Sequence, residues 1–258
     1  MLSDIPLRFS HLKKLALSPA HYRHAVEHSD DFRQLRVGSA THALVFENEL
    51  VCCYDGIRRG KEWEQFKLDH TGCILLNRAE YDDASAIAQA VKKNPLVQEL
   101  GLLDGEGISE TTLDWKYCGR VARSTPDRFT RHFVLDLKTT RCAKPDWFMR
   151  EITKMAYHSQ LAFYQDAIEH VHGYRPDAAY IVAVESKAPY PVVVFRLTPE
   201  LLEAGHRQCR AWFEQLKIAE DSNCWTGYTD SIVVADVQPG WGFEFNNDAD
   251  EAETPEAA

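Results

Sequence analysis

A chain of 258 residues with 45% hydrophobic and 26% charged side chains has the makeup of one compact soluble domain, which excludes collagen, coiled coil and wholesale disorder. Its net charge of −10, from 29 Lys and Arg against 39 Asp and Glu, argues against a protein that coats nucleic acid nonspecifically. At this length roughly 70–75% of the surface of the unfolded chain can be buried, so neither disulfides nor a structural metal is needed for stability.

Ser18-Pro19-Ala20 places a proline at a helix start behind a serine cap. The run from Phe32 to Phe46 sets Leu35, Gly38, Ser39, His42 and Phe46 on one helical stripe. A second helical period runs from Arg78 through Ala84, Ile87, Ala88 and Val91 and stops at Asn94-Pro95. The pattern then changes to short alternating segments, which predict strands at about 108–116, 118–127 and 132–138, joined as a meander with turns at Gly119 and at Phe129 to His132. Pro145 opens one helical stretch to about Val171, broken by Gly173-Tyr174-Arg175-Pro176. Two apolar strands, Ala178 to Val184 and Val192 to Leu197, and a long helix from Pro199 to about Ala219 complete the order. Helices before and after a mixed sheet predict an α+β or α/β, sandwich-like domain over residues 1–247. Residues 248–258 carry Asp248, Asp250, Glu251, Glu253 and Glu256 with no basic residue and are expected to be a disordered tail.

No stretch approaches the ~20 apolar residues of a membrane span, and Met1 to Pro6 lacks a basic-then-apolar leader, so a cytoplasmic location is expected. The seven cysteines, at 52, 53, 73, 118, 142, 209 and 224, form no CxxC pair, which speaks against zinc ribbons and iron–sulfur clusters.

Charge is uneven along the chain. Residues 116–154 hold ten basic side chains, among them Arg123, Arg128, Lys138 and Arg141, against four acids. This is either a solvated face or a stripe for the phosphates of a polyanion. Inside it, Pro126-Asp127 is followed nine positions later by Asp136-Leu137-Lys138. Asp136 and Lys138 on a strand point to one face. With a hairpin turning near Thr130-Arg131, position 136 faces 125 and lies diagonal to 127, so both carboxylates reach a shared cation, an arrangement a one-residue slip would spoil. Two carboxylates beside an ammonium are what metal-dependent phosphodiester hydrolysis requires. The acids hold a hard, oxygen-seeking Mg²⁺ or Mn²⁺, and the lysine steadies the nucleophile and the developing charge. The expression alone is weakly specific, since Pro176-Asp177 with Glu185-Ser186-Lys187 satisfies it again on an equally apolar strand. Local positive charge favours the first copy.

The order of neighbours is more specific. From about Phe9 to Tyr228 the chain resembles the exonuclease VIII (RecE-like) branch of the PD-(D/E)xK nuclease superfamily, and more distantly the phage lambda exonuclease. The resemblance rests on Ser18-Pro19-Ala20-His21-Tyr22, Gly38-Ser39-Ala40-Thr41-His42-Ala43-Leu44, Gly119 through Pro126-Asp127, Leu135 to Thr140, and Gln160-Leu-Ala-Phe-Tyr164. It implies a restriction-endonuclease-like core, a mixed central sheet flanked by helices. It also implies His42, Asp127, Asp136 and the main-chain carbonyl of Leu137 at the metal, with Lys138 as catalytic lysine. By itself His42 on an apolar stripe reads more readily as a core histidine, although the small Gly38, Ser39 and Ala40 would let its helix approach the sheet. Gln160 and Tyr164, i and i+4 on one helix face, are implied to touch DNA or to buttress the lysine, with Arg123, Arg128 and Arg141 as further DNA contacts. Glu47 and Glu110 are candidate supporting acids, a type that is ordinarily plain surface charge.

The implied activity is a Mg²⁺-dependent exodeoxyribonuclease, with Mn²⁺ able to substitute. It degrades one strand of linear duplex DNA from its 5′ end to mononucleotides and leaves a 3′ overhang for phage or prophage recombination and DNA repair. Double-stranded DNA ends, a homo-oligomeric ring and a single-strand annealing protein are the implied partners. A structure-specific endonuclease on the same core and a noncatalytic DNA-binding or assembly module are the alternatives, and intact Asp127, Asp136 and Lys138 weigh against the latter. The CRISPR-associated iron–sulfur nucleases of the superfamily are excluded for want of a cysteine cluster.

Overall fold

The structure is a computed structural model that describes residues 4–28, 36–46 and 51–235. Residues up to Tyr228 form one compact unit and Thr229–Ala258 a second. The expected boundary at 247, the acidic segment 248–258 and Glu47 lie outside the described residues.

The first unit opens with helix α1 (Phe9–Leu12), a 3₁₀ turn (Lys13–Ala16) and α2 (Pro19–Glu27). Ser18 caps α2 as its sequence implies, its side chain accepting from the His21 amide while Pro19 occupies the first turn. Next come α3 (Arg36–Phe46), β1 (Val51–Cys53), α4 (Lys61–Asp69) and β2 (Ile74–Leu76), the strands pairing in parallel. Helix α5 (Arg78–Lys93) starts in a reciprocal cap between Asn77 and Glu80 and buries Ala84, Ile87, Ala88 and Val91, the predicted stripe. Asn94 ends α5 and caps α6 (Pro95–Glu99) through two backbone amides.

The strand region departs from a single meander. β3 (Ile108–Ser109) belongs to the central sheet, whereas β4 (Leu113–Tyr117) and β5 (Arg120–Ser124) form a separate antiparallel hairpin. Its turn, Cys118-Gly119, takes two left-handed conformations, which the glycine accommodates without strain. Trp115 and Tyr117 turn inward and pack on Phe163, so burial pulls this hairpin off the sheet. β6 (Arg128–Phe129), β7 (Phe133–Thr140), β8 (Ala178–Glu185) and β9 (Val192–Arg196) complete the central sheet in the order β3-β6-β7-β8-β9. β7 and β8 run parallel, and the crossover between them is α7 (Pro145–Lys154) and α8 (Tyr157–His172). The expected continuous helix is therefore two. Ala156, with φ of 57°, reverses the chain between them and is held by burial in the core, not by a glycine or proline. Helix α9 (Pro199–Ser222), capped by Thr198, closes the unit.

The sheet separates two apolar layers by period two. Val134, Ala179, Ile181 and Ala183 join the core under α8 and α9, while Phe133, Leu135, Leu137, Val182 and Val184 join the core under α5. Each fully buried Leu, Val or Phe contributes roughly 1.5–3 kcal/mol. Gly205 lets α9 close on α8: a Cβ there would stand 2.7 Å from the His158 carbonyl oxygen. Asp136 and Lys138 share the parity of Val134 and so face the α8 layer. Among the described residues no helix is long and apolar enough to cross a membrane.

Candidate active site

β6 and β7 pair with Arg128 opposite Leu135 and Phe129 opposite Val134. Continuing that register sets Asp127 opposite Asp136, not diagonal to it as a turn at 130–131 implied. The turn is centred later, on Arg131-His132, where the Thr130 amide donates to the Phe133 carbonyl at 2.8 Å. The offset is two residues, an even number, so both carboxylates keep the same face. Asp127 accepts a 2.6 Å hydrogen bond from the Leu137 amide, which ties the acid to the strand carrying the lysine.

Around Asp127 the structure gathers side chains from distant segments. His42 on α3 sets its Nδ1 3.3 Å from Oδ2 of Asp127 and 3.9 Å from Oε1 of Glu110. His42, Glu110 and Asp127 each offer one ligand atom, all within 4.8 Å of one another. The close approach of α3 rests on Gly38, where a Cβ would meet the Thr139 hydroxyl of β7 at 3.2 Å. Asp136 is not a member of this trio. It is 1% exposed; the Lys138 ammonium stands 2.5 Å from its Oδ2, while Oδ1 has no hydrogen-bond partner. Lys138 also lies over the Tyr157 ring, 4.8 Å from its centroid.

The electrostatics follow from this packing. Burial pushes the Asp136 carboxyl up to about 6, opposed by Lys138 and reinforced by Asp127. Burial works the same way on Asp127, but His42, Lys138 and the Leu137 amide outweigh it and hold that carboxyl below its ordinary value. The His42 imidazole is lowered by burial and raised more by Asp127, for a net rise. Lys138 likewise ends above its ordinary value, because Asp136 and Asp127 overcome its burial. Lys13 goes the other way, lowered by burial and by Lys138.

These groups border a cleft of about 580 Å³ that includes Lys13, His42, Glu110, Asp127, Lys138 and Gln160. Gln160 donates to the Tyr164 hydroxyl at 2.9 Å, and the two also line an adjoining hollow with Arg8, Lys13 and Arg123. The side chain that braces the lysine is Tyr157, one turn before Gln160 on α8. Tyr157, Gln160 and Tyr164 repeat at i, i+3 and i+7, and that spacing was the available signal. Glu110, a candidate supporting acid from the sequence, stands in the trio with His42 and Asp127, whereas Lys13 had no local signal that separates it from surface charge. Of the three expected DNA-binding arginines, Arg123 pairs twice with Asp114 and Arg141 is exposed. Arg128 is a correction: it is buried and donates to Ser109 Oγ and to the carbonyls of Asp104 and Gly105, holding the loop before β3 instead of facing solvent. A larger cleft, about 730 Å³, lies by Arg175, Arg196 and His206 and contains none of the site residues. Arg175 there is already committed to Asp166 and Glu169.

A mixed sheet with helices on both faces, a Pro-Asp leading into one strand and Asp-x-Lys on its neighbour, define the PD-(D/E)xK class of nuclease fold. The chain belongs to the PDDEXK-like domain family of unknown function, DUF3799, whose profile matches residues 8–235. No curated protein matches it. Among solved structures, a candidate exonuclease from Eubacterium rectale has the same fold, with a TM-score of 0.60 at 13% identity over 90% of this chain and 91% of its own. A phage-related exonuclease from Haemophilus somnus 129PT overlays with a TM-score of 0.37 at 13% identity, covering 85% of this chain and 96% of its own. An alkaline exonuclease from Laribacter hongkongensis gives 0.32 at 13% identity, covering 74% and 93%.

Proposed function

We propose that this protein is a divalent-metal-dependent exodeoxyribonuclease of the RecE-like kind. It digests a strand of linear duplex DNA from its 5′ end to mononucleotides and leaves a 3′ single-stranded overhang for recombination. The observation that carries the reading is the convergence of Asp127, directly before β6, with Asp136 and Lys138 of β7, where Asp127 and Lys138 both line the cleft.

The donor set fits a divalent cation. It offers one imidazole nitrogen and two carboxylates within 4.8 Å, and behind them a buried acid whose Oδ1 has no hydrogen-bond partner. His42, Glu110, Asp127 and Asp136 would hold the ion, with the Leu137 carbonyl available beside them. Mg²⁺ suits the oxygen-rich part of this set, and Mn²⁺ also accepts the imidazole. The ion supplies an acidified water and polarises the phosphoryl oxygen. Lys138, fixed by Asp136 and by the Tyr157 face, orients the attacking water and offsets negative charge as it develops on the phosphate. Against its burial, His42 and Lys138, helped by the Leu137 amide, keep Asp127 ionised. Gln160 and Tyr164 hold each other beside the lysine, where they would position the strand.

The resemblance further supports a homo-oligomeric ring on double-stranded DNA ends and an annealing protein as partner. The test is a time course on end-labelled linear duplex against covalently closed circles, with Mg²⁺ and with EDTA. Linear duplex should be digested from its ends only with the metal, and circles should survive. Nicking of circles at a comparable rate would replace the reading with an endonuclease, and no metal-dependent hydrolysis would replace it with a DNA-binding module.

A further inference from the structure

The ten cations of residues 116–154 are sorted by the fold. Arg120 pairs with Glu220, Arg123 with Asp114, and Arg128 with the loop before β3. Arg131 lies over Tyr174, and Lys138 serves the site. Lys116 stands apart on β4. The four that remain, Arg141, Lys144, Arg150 and Lys154, are all exposed, and their side chains make no hydrogen bond or ion pair among the described residues. They lie on α7 or its short lead-in. The nearby acids, Asp146 and Glu151, offset two of them, and Glu151 accepts from the Thr140 hydroxyl.

The same helix exposes large apolar groups. Trp147 is 58% exposed and Met149 52%, although Phe148 and Ile152 anchor the inner face. At 100° per residue Trp147, Arg150 and Lys154, at i, i+3 and i+7, form one outward stripe. Met155, directly after the helix, lines the cleft that holds His42, Asp127 and Lys138, so the C-terminal end of α7 abuts the active site. A surface that only neutralises phosphates needs lysine and arginine alone. An indole bracketed by cations matches the face of an unstacked base beside its own phosphates. Duplex DNA hides base faces inside its stack, so charge and shape together select single-stranded DNA.

We infer that the outward face of α7 is a docking strip for single-stranded DNA. Trp147 stacks on a base while Arg150 and Lys154 take flanking phosphates, leading the unpaired strand to or from the cleft. The inference rests on the nucleic-acid reading above for the choice of partner but not on hydrolysis.

The test is binding in EDTA, with full-length protein, of a labelled oligo(dT) and of a covalently closed circular duplex. Trp147→Ala should weaken oligo(dT) binding roughly ten- to hundredfold, the range for loss of one stacked base, and closed duplex less than about twofold. Trp147→Phe should retain most of the affinity and should lose the emission quenching that Trp147, one of six tryptophans, contributes on binding. Arg150→Gln with Lys154→Gln should flatten the salt dependence by roughly 0.7 in log–log slope per charge removed. Poly-glutamate should not compete. Wild-type oligo(dT) affinity in Trp147→Ala overturns the inference, as does an equal loss on closed duplex, which means a plain phosphate surface, or competition by poly-glutamate, which means an acidic-peptide dock. Because nothing is hydrolysed in EDTA, a protein that binds in this way yet never cleaves DNA fails the nuclease reading alone, and one that cleaves without Trp147-dependent binding fails this inference alone.

Discussion

The two Pro-Asp…(Asp/Glu)-x-Lys copies share a spelling and little else. In the first, the residues between the acids fold back through the Thr130–Phe133 turn, so the β6–β7 register carries Asp127, directly before β6, opposite Asp136 of β7. In the second, Asp177 precedes β8 and Glu185 ends it, so an unbroken strand holds the acids roughly 25 Å apart. The Asp177 side chain is 74% exposed and sits 3.3 Å from His132, while Glu185 accepts from the Ala143 amide. A hairpin, not the residue types, makes a site out of two acids and a lysine.

The largest contrast should come from alanine substitution. Asp127→Ala, Asp136→Ala and Lys138→Ala should each lower initial rates on end-labelled linear duplex by at least about 10²–10³-fold, the usual cost of a group acting on transition-state charge. Asp177→Ala and Lys187→Ala should stay within about twofold. If folded Lys187→Ala were as inactive as folded Lys138→Ala, the comparison would collapse.

Metal affinity sharpens it next. His42→Ala and Glu110→Gln should weaken Mg²⁺ binding about tenfold or more in a thermal-shift or calorimetric titration, with excess Mn²⁺ restoring part of the activity of Glu110→Gln. Glu185→Gln in the second copy should leave the titration unchanged. Since Asp127 raises the His42 value, protons should begin to compete with the ion above the ordinary imidazole range. A titration of His42→Ala superimposable on wild type would make His42 a core histidine.

A smaller effect concerns stability. With its folded value raised to about 6, Asp136 binds a proton more tightly in the folded than in the unfolded chain. Its contribution is therefore favourable at low pH and is lost as pH rises from about 4 through 6. In EDTA, wild type should lose stability relative to Asp136→Asn by on the order of 2 kcal/mol between pH 4 and pH 7, measured by urea melts. A flat difference would mean that Lys138 fully compensates the buried charge. The smallest effect belongs to Asp177→Asn, whose exposed side chain should change stability by less than about 0.5 kcal/mol.

Several features of this chain were legible in one dimension because their causes are local. Ser18-Pro19, Asn77 with Glu80 and Thr198-Pro199 announce helix starts through hydrogen bonds spanning three residues. The apolar runs at 133–137 and 178–184 announce strands buried on both faces. Asp136 and Lys138 share a face by the period of a strand alone. Other features were decided only by tertiary packing. Whether β4 and β5 joined the central sheet depended on where Trp115 and Tyr117 could bury their rings, and the break at Ala156 on a core that tolerates a left-handed alanine. The register that sets Asp127 against Asp136 was a matter of two residues in a turn that carries no glycine to mark it. Glu110, Lys13 and Tyr157 reach the cleft from three separate segments, and no spacing along the chain relates them to Asp127, because their proximity is created by the sheet and its flanking helices. The sequence determined which side chains were available for chemistry on phosphate. The tertiary structure decided which of two similar spellings could bring them within reach of one ion, because distance between charges is a property of the folded backbone.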